Sequence, residues 1–144
     1  MRPPIRLAII VLIAAAGCSG VAAPTTAPTI APSLAPAAAS IDAHGEDGGV
    51  SFSPKTIDIK AGDIVRLVDV GDTLHDLTID VDGTVPAKPA DQHIAVQIAV
   101  DLVNKTNQAA INLPPGTYKF YCSVGLGTGA GHANQGMVGT LTIH

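Results

Sequence analysis

From Val50 onward the chain falls into short runs in which apolar and polar residues alternate. Val50-Ser-Phe-Ser53 and Thr56-Ile-Asp-Ile-Lys60 repeat with a period of two, as strands do when one face is buried. Ala61-Gly62-Asp63 supplies a turn, and Ile64-Val-Arg-Leu-Val-Asp-Val70 resumes the pattern. Gly71-Asp72 turns the chain again before a run from His75 to Val81, and residues 82–90, with Pro86 and Pro89, read as a loop. His93 to Val100 alternates well. Pro114-Pro115-Gly116 then turns into Thr117-Tyr-Lys-Phe-Tyr-Cys122, and Val138 to Ile143 closes with a β-branched, apolar run. Seven or eight strands, with turn signals about every 8 to 12 residues, predict an all-β domain: a Greek-key β-sandwich or barrel. No convincing amphipathic helix interrupts them.

The pattern upstream is different. Met1-Arg-Pro-Pro-Ile-Arg6 is a short positive region, and Leu7 to Ala16 is unbroken apolar sequence. That run is about half of the roughly 20 residues that cross a bilayer, but it suits the apolar centre of a secretory signal. It ends at Ala15-Ala16-Gly17-Cys18, which resembles a bacterial lipoprotein signal with Ala15 in place of the usual Leu. The resemblance implies that Cys18 becomes the lipidated first residue of the exported chain. From Val21 to Ser40 the sequence is nearly all Ala, Pro and Thr, with Pro24, Pro28, Pro32 and Pro36 four apart. Such a stretch has little to bury, and its prolines favour an extended, hydrated backbone. The expected organisation is a signal at 1–17, a lipid-bearing tether at 18–46 and a folded domain at 47–144. That places the domain outside the cytoplasm, anchored by lipid to the cell membrane.

Charge narrows the partners. The formal charge is −4, and losing Arg2 and Arg6 with the signal takes it two units further negative. An acidic domain without a basic cluster argues against nucleic acid and favours a protein partner with a positive docking face. The aromatic residues are Phe52, Tyr118, Phe120 and Tyr121, without Trp, so Val, Ile, Leu and Ala must make the core.

The chemistry gathers near the C-terminus. With Cys18 lipidated, Cys122 is the one cysteine left to an exported domain, which marks it as a reactive thiol, an intermolecular bridge or a ligand. A Cys18–Cys122 disulfide is the alternative use of the pair. Cys122, His132 and Met137 lie within one segment, and His75 opens a strand after a turn. One thiolate, two imidazoles and a weak axial thioether are the donors of a blue-copper electron-transfer site. Each residue also has an ordinary reading: a satisfied strand histidine, a buried inert thiol, a core methionine, a solvated loop histidine. His44, His93 and His144 keep the ordinary reading as tether, strand-edge and terminal residues.

Four segments resemble the plastocyanin/azurin group of cupredoxins: Phe52-Ser-Pro-Lys-Thr-Ile-Asp-Ile-Lys-Ala-Gly-Asp63, Asp72-Thr-Leu-His-Asp-Leu-Thr-Ile79, Pro115-Gly-Thr-Tyr-Lys-Phe-Tyr-Cys122 and Gly136-Met-Val-Gly-Thr-Leu-Thr142. The resemblance implies one type 1 copper ion held by His75, Cys122, His132 and Met137. It further implies a monomeric, non-enzymatic carrier of single electrons between Cu(I) and Cu(II), serving redox protein partners. Two departures stand out. Residues 123–131, rich in Gly, separate Cys122 from His132 by more than is usual in small carriers, in a manner similar to copper nitrite reductases; those enzymes need a second domain and further histidines, of which this chain shows no sign. Asp76 stands where the family often has Asn, and is expected to brace the ligand loop through Ser123. Leu126 is expected to shape a docking patch beside His132. Other functions compatible with the same residues are copper storage or delivery, a small-ligand copper enzyme entered through the glycine loop, and a metal-free adhesion module.

Overall fold

The computed structural model describes residues 34–46 and 49–144. The signal at 1–17, Cys18 and the tether as far as residue 33 lie outside the described residues. Wherever the sequence alternates, the chain forms a strand with its apolar side turned inward. In order these are β1 (Ala39–Glu46), β2 (Gly49–Ser53), β3 (Thr56–Ile59), β4 (Ile64–Asp69), β5 (His75–Asp80), β6 (Ile94–Val100), β7 (Thr106–Ala110), β8 (Gly116–Tyr121) and β9 (Val138–Ile143). One short 3₁₀ turn, Pro89–Asp91, lies in the loop between β5 and β6. The strands form two sheets, ordered β2-β1-β4-β7 and β3-β9-β8-β5-β6. β1 runs parallel to β4 and β3 parallel to β9; the other pairs are antiparallel.

The core between the sheets is aliphatic, as the scarcity of aromatics requires. Ile41, Leu67, Leu77, Ile79, Ile98, Ile111 and Leu141 are buried there. Phe52 and Phe120 meet edge to face with ring centroids 5.2 Å apart, a favoured aromatic geometry. Phe120 lies directly over the β9 backbone: a Cβ placed on Gly139 would come within 2.0 Å of its ring.

Two of the nine described strands are not among the runs read from the sequence. β1 corrects the expected boundary, since residues 39–46 are not tether. They form an interior strand, paired with β2 on one side and β4 on the other. Ile41, Ala43 and Gly45 face inward while Ser40 and His44 face out. This is ordinary period-two alternation written in residues so small that it reads as a continuation of the Ala-rich stretch. His44 is therefore an exposed strand residue. The attachment reaches further upstream, where Arg66 and Gln108 side chains both donate to the Ala35 carbonyl, at 3.0 and 3.2 Å. The second addition, β7, is a polar edge strand on β4 whose Asn107 and Gln108 hide it from any apolar pattern.

β5 is unusual in being buried along its whole length. Leu77 and Ile79 enter the core. Asp76, Thr78 and Asp80, on the opposite face, are buried as well. Buried polar groups call for partners: Asp76 and Thr78 find theirs beside the site, whereas Oδ1 of Asp80 has none among the described residues.

Candidate metal centre

Strand register brings the chemistry together. β5 begins at His75 and pairs antiparallel with β8, with Thr78 opposite Tyr121, so the start of β5 meets the end of β8. Cys122 follows β8 directly. β9 returns antiparallel with Val138 opposite Tyr121, which delivers Met137 to the same end. Residues 122–137 join β8 to β9 there and carry His132.

The donors converge. Nδ1 of His132 lies 3.3 Å from the Cys122 Sγ, and Nδ1 of His75 lies 3.9 Å from it. Ligand atoms of all three residues lie within 4.8 Å of one another. Bonds of about 2.0–2.3 Å from nitrogen and thiolate to a single ion put donor atoms about 3–4 Å apart, so the arrangement fits one metal ion. Among the described residues no other group of three such donors meets this condition. His75, Cys122 and Met137 are essentially inaccessible to solvent, whereas His132 is half-buried. The site is therefore a buried pocket with one edge toward solvent.

Each side chain is held by a different device. Nε2 of His75 lies 3.0 Å from the Thr73 hydroxyl, which leaves Nδ1 turned to the sulfur. β1 closes behind it: a Cβ on Gly45 would lie 2.1 Å from Thr73 Oγ1 and 2.5 Å from His75 Nε2. Cys122 donates its N–H to the Met137 carbonyl at 3.1 Å, and Met137 donates its own to the His132 carbonyl at 3.0 Å. The sulfur also accepts the Asp76 N–H at 3.5 Å.

The glycine-rich insert is folded. His132 donates to the Val124 carbonyl, Leu126 to Ser123 and Thr128 to Gly125, each at 3.0 Å. Gly125 and Gly127 take φ of +67° and +81°, conformations that cost a residue with a Cβ. Gly131 presses so close that a Cβ there would lie 2.3 Å from the Gly125 carbonyl oxygen, and Gly127 packs against Pro89. Leu126 is 6% exposed. That corrects its expected part in an outer docking patch: in a loop with few side chains, the single leucine is buried beneath it.

Asp76 does brace the loop. Its Oδ1 accepts the Ser123 N–H at 2.6 Å and its Oδ2 accepts the Ser123 hydroxyl. Thr78 and Gln97 donate to the same carboxylate. Sequence reasoning missed Thr73, Thr78, Gln97 and Gly45. Thr73 and Thr78 each act on a residue two positions away, and no pattern of types marks that contact, whereas Gln97 is brought to Asp76 by the pairing of β5 with β6.

Burial sets the protonation of the metal-free donors. It lowers His75 below its ordinary 6.5, with nearby His132 adding to the effect, and it lowers His132 against a raising pull from Asp76. It pushes the Cys122 thiol up to about 12. Near neutral pH the imidazoles are thus neutral and ready to donate, and the thiol must give up its proton to any metal it binds.

Residues 39–144 match the family of copper binding proteins called the plastocyanin/azurin family. The chain belongs to this family. It is 31% identical over 108 residues to plastocyanin of Dryopteris crassirhizoma, an alignment covering 73% of this chain and 99% of that protein. It is 33% identical over 108 residues to chloroplastic plastocyanin of Physcomitrium patens, covering 74% of this chain and 58% of the relative. The solved structure of oxidised plastocyanin from Dryopteris crassirhizoma superimposes with a TM-score of 0.54 and 28% identity, over 73% of this chain and 99% of that one. The β-sandwich is thus a cupredoxin fold, and the match from residue 39 takes in β1. As a cupredoxin the chain takes copper as its cofactor, and its chemistry is electron transfer to redox partners rather than turnover of a substrate.

Proposed function

We propose that this cupredoxin is a lipid-tethered carrier of single electrons on the extracytoplasmic side of a cell membrane. In this reading His75, Cys122 and His132, with Met137 beside them, are the residues that would hold the copper ion. The observation that carries it is the approach of both Nδ1 atoms to one sulfur, at 3.3 and 3.9 Å. Bound there, copper supplies a one-electron Cu(I)/Cu(II) couple with sulfur and nitrogen donors suited to both states.

The chain's own residues do the rest. β5 and the Thr73 hydroxyl keep His75 in place, Asp76 ties the Cys122 loop to β5, and Cys122 gives up its thiol proton on loading. Ligands fixed in this way have little room to rearrange when the charge changes. The compact insert, packed against Pro89, favours a carrier over an enzyme that must admit a small ligand. His132, half-buried, is the donor through which electrons leave. The segment that carries His132 adds no charge to that end, since residues 122–144 contain no Lys, Arg, Asp or Glu, while Asp72, Asp101 and Lys105 lie in the flanking loops. Leu74, Leu102 and Val103 are exposed on the loops that precede β5 and follow β6. A partner docks on this end, while the acidic charge of the chain steers one with a positive face.

Cys18 and the Ala/Pro/Thr-rich stretch ending near residue 38 supply the anchor. The test uses the full chain expressed in a bacterium with a lipoprotein pathway. The copper-loaded protein should sediment with membranes, bleach with one electron equivalent and recover its colour on reoxidation, and Cys18→Ala should release it into the soluble fraction. A soluble wild-type chain would overturn the tether, and colour that does not cycle would overturn the carrier.

A further inference from the structure

Among the described residues no cationic side chain pairs with Asp76. Its side chain is 6% exposed, and its two oxygens receive four donors. Oδ1 takes the Ser123 N–H at 2.6 Å and the Thr78 hydroxyl at 3.2 Å; Oδ2 takes the Ser123 hydroxyl, and Gln97 Nε2 at 3.2 Å. An ionised carboxylate only accepts, so it satisfies all four at once. None of the four carries a charge. The ion pairs among the described residues join Lys88 to Asp91 and His144 to Asp58, leaving Asp76 out. Dipoles stabilise the carboxylate without neutralising it. It lies next in sequence to His75, and its own N–H points to the Cys122 sulfur at 3.5 Å.

We propose that Asp76 is a fixed negative charge of the copper centre, which favours Cu(II) and lowers the reduction potential below that of the same ligands beside a neutral side chain. The proposal rests on the ligand reading given above. Reduction adds an electron to the site, and an uncompensated negative charge in a poorly screened interior opposes that addition. The backbone N–H to sulfur pulls the other way, by drawing electron density from the thiolate. It belongs to the main chain, however, and stays constant when the side chain is changed. Bracing alone does not require a charge. An Asn at this position has the same shape, and the Ser123 hydroxyl and Gln97 amide can reorient to meet its NH₂.

The experiment compares copper-loaded full-length wild type, Asp76→Asn and Ser123→Ala, each equilibrated with the same mediator couple at fixed ambient potential. The Cu(II)/Cu(I) ratio is read from the visible thiolate band, and unfolding of the metal-free chains is measured in parallel. Asp76→Asn should lower the ratio by at least about tenfold, the effect that one unit charge has even at about 12 Å at an effective dielectric of about 20. Ser123→Ala, which loosens the brace but keeps the charge, should leave the ratio within about threefold of wild type while lowering metal-free stability. An unchanged ratio in Asp76→Asn would overturn the proposal, as would an equal fall in Ser123→Ala. A wild type with no thiolate band would overturn the ligand reading, and this proposal with it; a normal band with an unmoved ratio would sink only the role of the charge.

Discussion

His75 stands at the first position of β5, its backbone paired with Val100 of β6 and its ring backed by Thr73 and the bare backbone of Gly45. His132 hangs from a loop of glycines that is held by hydrogen bonds within the loop itself. Both reach the same sulfur, yet one position is set by sheet register and the other by local backbone geometry. Damage on the His75 side must therefore pass into the whole sandwich. Damage on the His132 side should stay local, because few apolar contacts tie that segment to the core. Asp76 links the two, with its backbone on the first side and its carboxylate on the second.

The largest effect is expected from Gly45→Ala. Its new methyl would collide with Thr73 Oγ1 and His75 Nε2, at 2.1 and 2.5 Å, and β1 has no slack because it is paired on both edges. Urea unfolding of the metal-free chain should show a loss of about 3 kcal/mol or more, at the upper end for overpacking, with copper affinity at least about tenfold weaker. A loss below about 1 kcal/mol would mean that the His75 side is softer than the register implies. On the other side, Leu126→Ala removes the one buried leucine beneath the insert. The cost should be about 2 kcal/mol, the low end for a buried leucine. Hydrogen exchange is the sharper measurement: the His132 amide, which donates to Val124, should lose protection while the β5 amides keep theirs. Equal loss in both places would erase the distinction.

How far the sequence foretold this molecule also divides along the same line. The strands with strong alternation, such as β3, β4, β8 and β9, were legible because Val, Ile, Leu and aromatic residues mark one face plainly. β1 was not, because Ala43 and Gly45 are inward residues chosen for smallness: His75 needs the room. β7 was not, because an edge strand on a polar surface owes its conformation to β4 rather than to its own residues. At the site, the donor types and their order were readable, and so was the Asp76–Ser123 brace. Gln97 was not, because it reaches Asp76 only through the pairing of β5 with β6; Thr73 was not, because a hydroxyl two residues from a histidine is no signal by itself. The closure of the insert was not legible, since glycine signals permission to turn and carries no sign of how far the chain then closes on itself.

A smaller effect concerns both sides at once. In the metal-free chain His75 and His132 lie below their ordinary 6.5, so below that pH the unfolded chain binds protons that the folded one resists. Stability should fall as pH drops through that value, by at most about 1.4 kcal/mol per unit for each group. Cys122 is raised from 9.0 to about 12, so above 9 the unfolded chain loses a proton that the folded chain keeps, and stability should fall there too. Denaturant midpoints measured across pH should therefore show a plateau between about 6.5 and 9. Copper should abolish the acid limb until the ligands themselves are protonated. Stability that rises below pH 6 would contradict the burial of both imidazoles.

The central claim is that a sheet-set histidine and a loop-set histidine share one ion with Cys122. Copper titrated into the metal-free full-length chain, followed by visible absorption and electron paramagnetic resonance, tests it most directly. The account predicts one ion per chain, an intense thiolate-to-copper band and narrow hyperfine splitting, and the loss of that signature in His75→Ala and in His132→Ala alike. Colourless binding, or a band that survives removal of either histidine, would contradict it.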